Sequence, residues 1–314
     1  MKRLFIPIVA VCCASVCLAA TVAIQAQSVA PPLLSAKSWA VYPKDAWMYW
    51  DEGKLTLDDA RRRLTVESSV RPLGIPYDAV EKVVFETTSH VRAGGASTFI
   101  GLAGSAIEAG TVSDYLVLIE YRAAAVRPDA QGTRWYLAEV AKDAEAAVRA
   151  KMVEIFGPKV STPQFPQAVP FKRHAELQDI NLKHNHDYEC QKRPTPEVRP
   201  DKGLVVVVAP CVDAKERNAQ FKLYANGRVV AVNRVGSYSF VYLDPGNYEF
   251  VSAPGYTSMQ VTVEAGKGYY FLQNSLAGDK MNLGRPISAL SMNSEELVRF
   301  EITGAAFSVW KQKK

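Results

Sequence analysis

Cysteine and histidine are scarce, at five and four in 314 residues. Cys12, Cys13 and Cys17 lie close to the start, which leaves Cys190 and Cys211 in the rest of the chain. Besides His184 and His186 there are only His90 and His174, so a three-histidine catalytic centre has to recruit one of them from a distance. There is no Gly-x-Ser-x-Gly elbow, phosphate loop, His-Glu-x-x-His pair or Rossmann fingerprint. A long basic run is missing as well. The formal net charge is only +5, and it falls to +3 once Lys2 and Arg3 are removed (5 − 2), which argues against a nucleic-acid partner. Beyond the N-terminus no apolar run is long enough to span a bilayer. What is present is ordinary for a globular chain, with 48% hydrophobic and 22% charged residues, enough for about two domains and against disorder throughout.

The N-terminus points to a compartment. Lys2 and Arg3 precede "LFIPIVAVCCASVCLAATVAIQAQS", an apolar run ending in small residues. That is the order of a secretory signal, with cleavage expected after Ala26, so that residues 1–26 are lost and Gln27 becomes the first residue. Cleavage after "CLA" is a second option. An uncleaved anchor from Leu4 to Ile24 is another reading. Lipidation is disfavoured because Val16 precedes Cys17 and Cys12 precedes Cys13. The expected location is the bacterial periplasm or cell envelope. In an oxidising compartment Cys190 and Cys211 are a plausible disulfide pair.

A first domain is expected over residues 39–157. "WMYWDEGKLTLDDARRRLTVESS" contains two alternating runs joined by a polar turn at Asp58–Arg62, the pattern of a hairpin. Further strands are expected at "AVEKVVFETTS", "DYLVLIEYR" and "GTRWYLAEV". The period then changes. Ala144, Ala147, Val148, Met152, Ile155 and Phe156 share one helical face, with Asp143 as the expected cap and Gly157–Pro158 as the stop. Antiparallel strands closed by one amphipathic helix make a small capped barrel. On "GKLTLDDARRRLTVES", "IPYDAVEKVVFE", "DYLVLIEYR" and that helix, the region resembles the bacterial pleckstrin-homology-like domains. The resemblance implies a module that binds lipid headgroups, peptides or proteins. Arg61, Arg62 and Arg63 sit near the hairpin, but adjacent strand residues alternate faces, so the reading favoured is a charged, solvated edge.

Two segments interrupt this regularity. "RAGGASTFIGLAGSAIEAGTVS" is rich in Gly, Ala and Ser and carries one acid, Glu108, in its apolar part. A glycine-rich loop or short buried helix is the plainer reading, and peripheral membrane contact through 93–109 the alternative. Residues 158–202 hold seven prolines and are otherwise polar, the composition of an extended linker, with a brief helix expected around Ala175–Leu182. Within that linker lies "HNHDYEC". His184, His186, Asp187, Glu189 and Cys190 are all capable metal ligands, and imidazole with carboxylate suits zinc or copper. A site also requires fixed geometry and supporting hydrogen bonds, which a proline-rich linker does not obviously supply. The expectation is therefore no cofactor, with metal at His184, His186 and Asp187 as the competing reading.

The second domain is expected over 203–310. "GLVVVVAPC" opens it. Hairpin turns are expected at Asn226–Gly227, Asp244–Pro245–Gly246 and Ala265–Gly266, and Asn293-x-x-Glu296 is expected to cap a helix through "SEELVRFEI". Short strands with Gly-bearing turns at this spacing indicate a β-sandwich. Tyr238, Tyr242, Tyr248, Tyr256, Tyr269 and Tyr270 are read as strand residues facing a core. The order "LYANGRVVAV…GSYSFVYLDPGNYEF…VTVEAGKGYYFLQ" resembles an uncharacterised bacterial β-sandwich family numbered among the domains of unknown function. That resemblance implies a transthyretin-like fold, often in exported lipoproteins, with no assigned activity. The chain as a whole thus reads as a mainly β, two-module, non-catalytic envelope protein. Its partner is an unidentified envelope protein, glycan or lipid, and the alternative is a metal-dependent envelope hydrolase using His184–Cys190.

Overall fold

The computed structural model describes residues 33–44, 47–90, 112–179, 194–210, 219–255, 257–276 and 287–309. The chain is mainly β, with several sheets and few helices. Its first half builds one sheet from β1 (Leu33–Lys44), β2 (Trp47–Asp58), β3 (Arg63–Ser68), β4 (Leu73–Pro76), β5 (Val80–His90), β6 (Val112–Arg122), β7 (Thr133–Val140) and β8 (Val160–Ser161). Their order in the sheet is β4-β3-β2-β1-β7-β6-β5-β8. The hairpin expected at Asp58–Arg62 forms between β2 and β3, with Arg62 taking a positive φ of 47° in the turn. The strands start earlier than the alternation suggested, at Leu33 rather than near Trp39.

Leu55, Leu64, Ile75, Phe85, Val117, Ile119 and Ala138 come from strands across the sheet yet pack into one cluster, so the sheet curls around it. Helix α1 (Glu145–Phe156) closes the opening with Val148, Met152 and Phe156, as the helical period predicted. Ala147 is exposed. The cap differs from expectation. Ala144 occupies the N-cap position and no side chain bonds the free N–H groups, so Asp143 does not cap. Gly157 ends the helix at φ 54°, a conformation open to glycine at little cost.

The second half begins with β10 (Gly203–Ala209), buried along its whole length. It lies mid-sheet among β16 (Gly268–Leu276), β13 (Ser237–Leu243), β17 (Ile287–Asn293) and β18 (Ala306–Phe307), in the order β17-β16-β10-β13-β18. A second sheet faces it, built from β11 (Gln220–Ala225), β12 (Arg228–Arg234), β14 (Gly246–Ala253), β15 (Thr257–Val263) and β9 (Val169–Pro170), in the order β12-β11-β14-β15-β9. Val205, Val207, Leu223, Phe250, Met259 and Phe271 fill the space between the two. Asn233 ties them together, donating from Nδ2 to the Val207 carbonyl at 3.2 Å and to Gln273 Oε1 at 3.3 Å.

Of the three hairpins expected here, one forms. Asn226 and Gly227, at φ 48° and 77°, turn β11 into its neighbour β12. The Asp244–Pro245–Gly246 and Ala265–Gly266 turns do not join paired strands. β13 and β14 lie in opposite sheets, as do β15 and β16. Both turns are arches that carry the chain across the sandwich. A turn sequence fixes a reversal of direction, whereas the pairing partner is chosen by which faces must be buried.

The proline-rich stretch is extended, and its described parts are anchored. β8 lies parallel to β5, β9 extends the sandwich beside β15, and Phe171 is buried against Tyr224 and Val251. Farther on, the carbonyls of Pro194 and Glu197 accept from the hydroxyls of Tyr238 and Tyr242 at 2.9 and 2.8 Å. The Arg199 guanidinium lies 3.9 Å over the Tyr242 ring. Of the expected Ala175–Leu182 helix, the described residues hold one 3-10 turn at His174–Glu176.

Candidate functional site

The residues nominated by the sequence fall into two groups. His184, His186, Asp187, Glu189, Cys190, Cys211 and the segment 93–109 lie outside the described residues. Among the described residues no group of three or more His, Cys, Asp or Glu side chains is placed to hold a metal, and no helix is long and apolar enough to cross a membrane. Arg61, Arg62 and Arg63 are described, and they do not converge. Arg61 pairs with Asp58, Arg62 stacks over Tyr77, and Arg63 donates to the Gly74 carbonyl. The neighbouring Asp59 accepts from Tyr77 and pairs with Lys151 of α1 at 2.6 Å. The cluster pins the turn to the helix. Tyr238, Tyr269 and Tyr270 are buried, as the core reading expected, Tyr242 and Tyr248 are partly so, and Tyr256 lies outside the described residues.

A different constellation lies where the two halves meet. β5, β6 and β7 are apolar on both faces. Val83, Val117 and Ala138 point into the first core, while Val84, Leu116, Leu118 and Leu137 point outward. The outward set packs with Leu204, Val206 and Val208 of β10 and with Leu297, Val298 and Phe300 of α2 (Glu295–Gly304). One apolar cluster is thus shared by both halves. Burying such faces contributes roughly 25 cal/mol for each Å² removed from water.

Polar groups fix the register of this seam. Glu86 of β5 is only 6% exposed. Its carboxylate accepts from Asn293 Nδ2 at 3.0 Å, from the Ser294 N–H at 3.2 Å and from the Ser294 hydroxyl. Ser294 is the N-cap of α2, its Oγ accepting from Leu297 N at 3.1 Å. The cap is therefore one residue past the expected Asn293, whose side chain turns to Glu86. The arrangement places a carboxylate from the first half at the positive end of a helix in the second. Lys82 pairs across the same seam with Glu296. Burial pushes the Glu86 carboxyl above its ordinary value, against the pull of the Ser294 and Asn293 donors. For Glu296 burial also opposes charge, but the Lys82 ammonium and the backbone N–H at the helix start outweigh it and hold the carboxyl low.

Comparison with protein-family models, with curated proteins and with solved structures finds no match.

A second buried carboxyl, Glu301, is 8% exposed on α2. It lies one turn after Leu297, on the apolar stripe, and burial alone pushes it up to about 8. Neither glutamate was nominated from sequence, although each left a signal. Glu301 interrupts the stripe of "LVRFEI" at a core position, and Glu86 shares the outward face of Val84. A polar residue on a strand face reads as solvent-facing until the covering half is known.

Truncating Glu86 tests the seam. Glu86→Ala strands three buried donors and removes the anion from the helix end, so a loss of about 2–4 kcal/mol is expected. Urea denaturation of the full chain measures it. A loss no larger than that of an exposed control such as Glu67→Ala contradicts the arrangement.

Proposed function

We propose that the chain is an exported, non-catalytic binding or scaffold protein of the cell envelope, composed of a pleckstrin-homology-like module and a transthyretin-like module. The observation that carries this reading is the seam. Two β modules are locked in one orientation by a shared apolar cluster and by the Glu86–Ser294 cap, an architecture suited to presenting fixed surfaces to a partner. The curled first sheet closed by α1 supports the first module's assignment, and the two facing five-stranded sheets support the second. The basic start and apolar run before Gln27 support export.

The competing metal-hydrolase reading makes opposite predictions. In the scaffold reading, His184→Ala with His186→Ala leaves the melting temperature and the phenotype in the native host unchanged, and a chelator shifts neither. A structural metal contributes folding free energy directly, so a chelator-induced drop would favour the metal site. Loss of phenotype with normal folding and export would overturn the scaffold reading. Capture from native envelopes followed by mass spectrometry identifies the partner class.

Cys190 and Cys211 are expected to form a disulfide in the exported protein, closing a loop of about twenty residues and contributing roughly 3 kcal/mol in the chain-entropy model. Thiol titration of the denatured, unreduced protein should find neither thiol free. Two free thiols would refute it.

A second reading, peripheral membrane contact through 93–109, gains one supporting observation. Ser38 pairs with Val140, Val140 with Tyr115, and Tyr115 with Thr87. Following the strands outward from that row puts Leu33, His90 and Val112 at the same end of the first sheet. The N-terminal apolar segment and the Gly/Ala-rich segment are therefore attached at one end of the module.

A further inference from the structure

β13 carries a row of aromatic side chains on the face that meets the proline-rich chain. Tyr238, Phe240 and Tyr242 alternate onto one side of the strand. With Phe307 of β18 their rings form a continuous row. Centroids lie 5.3 Å apart for Tyr238 and Phe307, 5.6 Å for Phe240 and Phe307, and 5.9 Å for Phe240 and Tyr242. Phe240, Tyr242 and Phe307 are only partly buried.

On this row lies "PTPEVR", residues 194–199, in neither helix nor strand. Proline fixes φ at 194 and 196, and Thr195, which precedes a proline, is pushed to the extended region. A segment of this kind has no internal hydrogen bonds, so its carbonyls take donors from elsewhere. Two tyrosine hydroxyls supply them. Tyr238 donates to the Pro194 carbonyl and Tyr242 to that of Glu197, at positions one polyproline turn apart. Pro196 between them is buried, whereas Thr195, Glu197, Val198 and Arg199 are exposed. The Arg199 guanidinium ends the row, over the Tyr242 ring. Among the described residues, the segment's one backbone–backbone bond runs from the Lys202 N–H to the Arg199 carbonyl at 3.4 Å, in the turn before β10. The sandwich thus grips the segment with side chains rather than with a strand ladder.

Neighbouring rings, hydroxyl donors one turn apart and a stacked guanidinium are the means by which aromatic grooves recognise proline-rich ligands. We propose that Tyr238, Phe240, Tyr242 and Phe307 form a recognition groove for an extended segment of a partner protein, with the order Pro-x-Pro-x-x-Arg, and that residues 194–199 are its resident occupant. This rests on the binding reading above and names the class of partner. The resident segment selects the occupant, because the groove already accommodates that chemistry. Exchange breaks two hydroxyl bonds and uncovers one proline ring and one tyrosine face. The anchor behind the segment is separate: Lys202 pairs with Asp244, and its carbonyl accepts from the Gly266 N–H. A tethered occupant competes at an effective concentration of about millimolar. The wild type therefore binds a free peptide weakly, and loosening the resident segment raises the apparent affinity.

The probe is a fluorescein-labelled heptapeptide, Pro-Thr-Pro-Glu-Val-Arg-Pro, titrated with the full chain and followed by fluorescence anisotropy. Pro196→Ala with Arg199→Ala, which loosens the resident segment and leaves the groove untouched, should bind it about tenfold more tightly than the wild type. Arg199→Ala alone serves if the double variant fails to fold. Adding Tyr242→Phe, which removes one hydroxyl and keeps the ring, should reverse most of that gain. A heptapeptide with glycine in place of each proline should bind about tenfold more weakly, since it is not held extended beforehand.

No binding by the loosened chain, equal binding by wild type and loosened chain, an unchanged affinity on adding Tyr242→Phe, or equal binding of the glycine peptide would each overturn the proposal. So would a different occupant. Concentration-dependent dimers of the wild type that the heptapeptide dissolves would indicate a second copy, and binding of chitotetraose in place of the heptapeptide would indicate a glycan. The scaffold reading is judged separately, by the histidine variants and by capture from native envelopes, so failure of one is distinguishable from failure of the other.

Discussion

Val206→Asp is expected to abolish folding of the whole chain. β10 is buried on both faces, with Val205 and Val207 packed into the sandwich core and Val206 into the cluster shared with the first half. A carboxylate at Val206 meets Leu and Val side chains and has no donor to accept from. An unpaired buried charge of this kind costs on the order of 4–5 kcal/mol or more, a large share of the 5–15 kcal/mol that stabilises a typical domain. The soluble yield and the urea midpoint report the result. Val206→Ala, which removes only methyl groups, should stay folded with a loss of about 1–2 kcal/mol. A folded Val206→Asp protein with an unchanged midpoint would contradict the position of β10.

The second large effect concerns association. Proteolysis is expected to cut first within 157–202, at the exposed polar residues between the points where β8, β9 and Phe171 anchor that stretch. The two fragments should nevertheless elute together at their combined mass near neutral pH, because the seam joins them without help from the peptide bond. Leu118→Asp, which places a charge in the shared cluster, should let the nicked fragments separate. Size-exclusion chromatography with light scattering decides between the outcomes. Separation of the wild-type fragments, or a first cut inside "LVLIEY" or "SFVYL", would refute this account.

Much of the fold could be read locally. The β2–β3 hairpin, strands β5, β6 and β7, the Val148, Met152 and Phe156 face of α1 and the Asn226–Gly227 hairpin are encoded within a few neighbouring residues, and each is where the pattern put it, whereas β1, β4 and β8 were not expected. The two mistaken hairpins show where local reading ends. Asp244–Pro245–Gly246 specifies a reversal equally well for a paired neighbour and for a strand in the facing sheet, and only burial of both faces of the sandwich selects the latter. Capping shows the same limit on a smaller scale. Asn293 is a good cap by type, but Ser294 takes the position because Asn293 is drawn to Glu86, a residue far away in sequence.

The seam was legible only in part. "LVLIEY" is apolar at consecutive positions, and a strand of that kind needs cover on both faces, so its second face had to be covered by something. What covers it could not be read, because "GLVVVV" shows the same double-sided pattern and nothing local matches one run to the other. Glu86 looks like an ordinary surface carboxylate until that match is made.

The sequence distance between Glu86 and its partners has a kinetic meaning. Asn293 and Ser294 lie 207 and 208 residues downstream. A chain delivered N-terminus first, from a ribosome or through a translocation pore, can complete its first sheet early, since those ladders join strands within the first half. It cannot close the seam until Asn293 and Ser294, and α2 behind them, have emerged. During that interval the outward face of β5, β6 and β7 is uncovered, a hydrophobic surface of the kind that holding chaperones bind. Loop closure over such a span is slow compared with helix and hairpin formation. Closure of the seam thereby waits for α2, and that helix is the element that completes it.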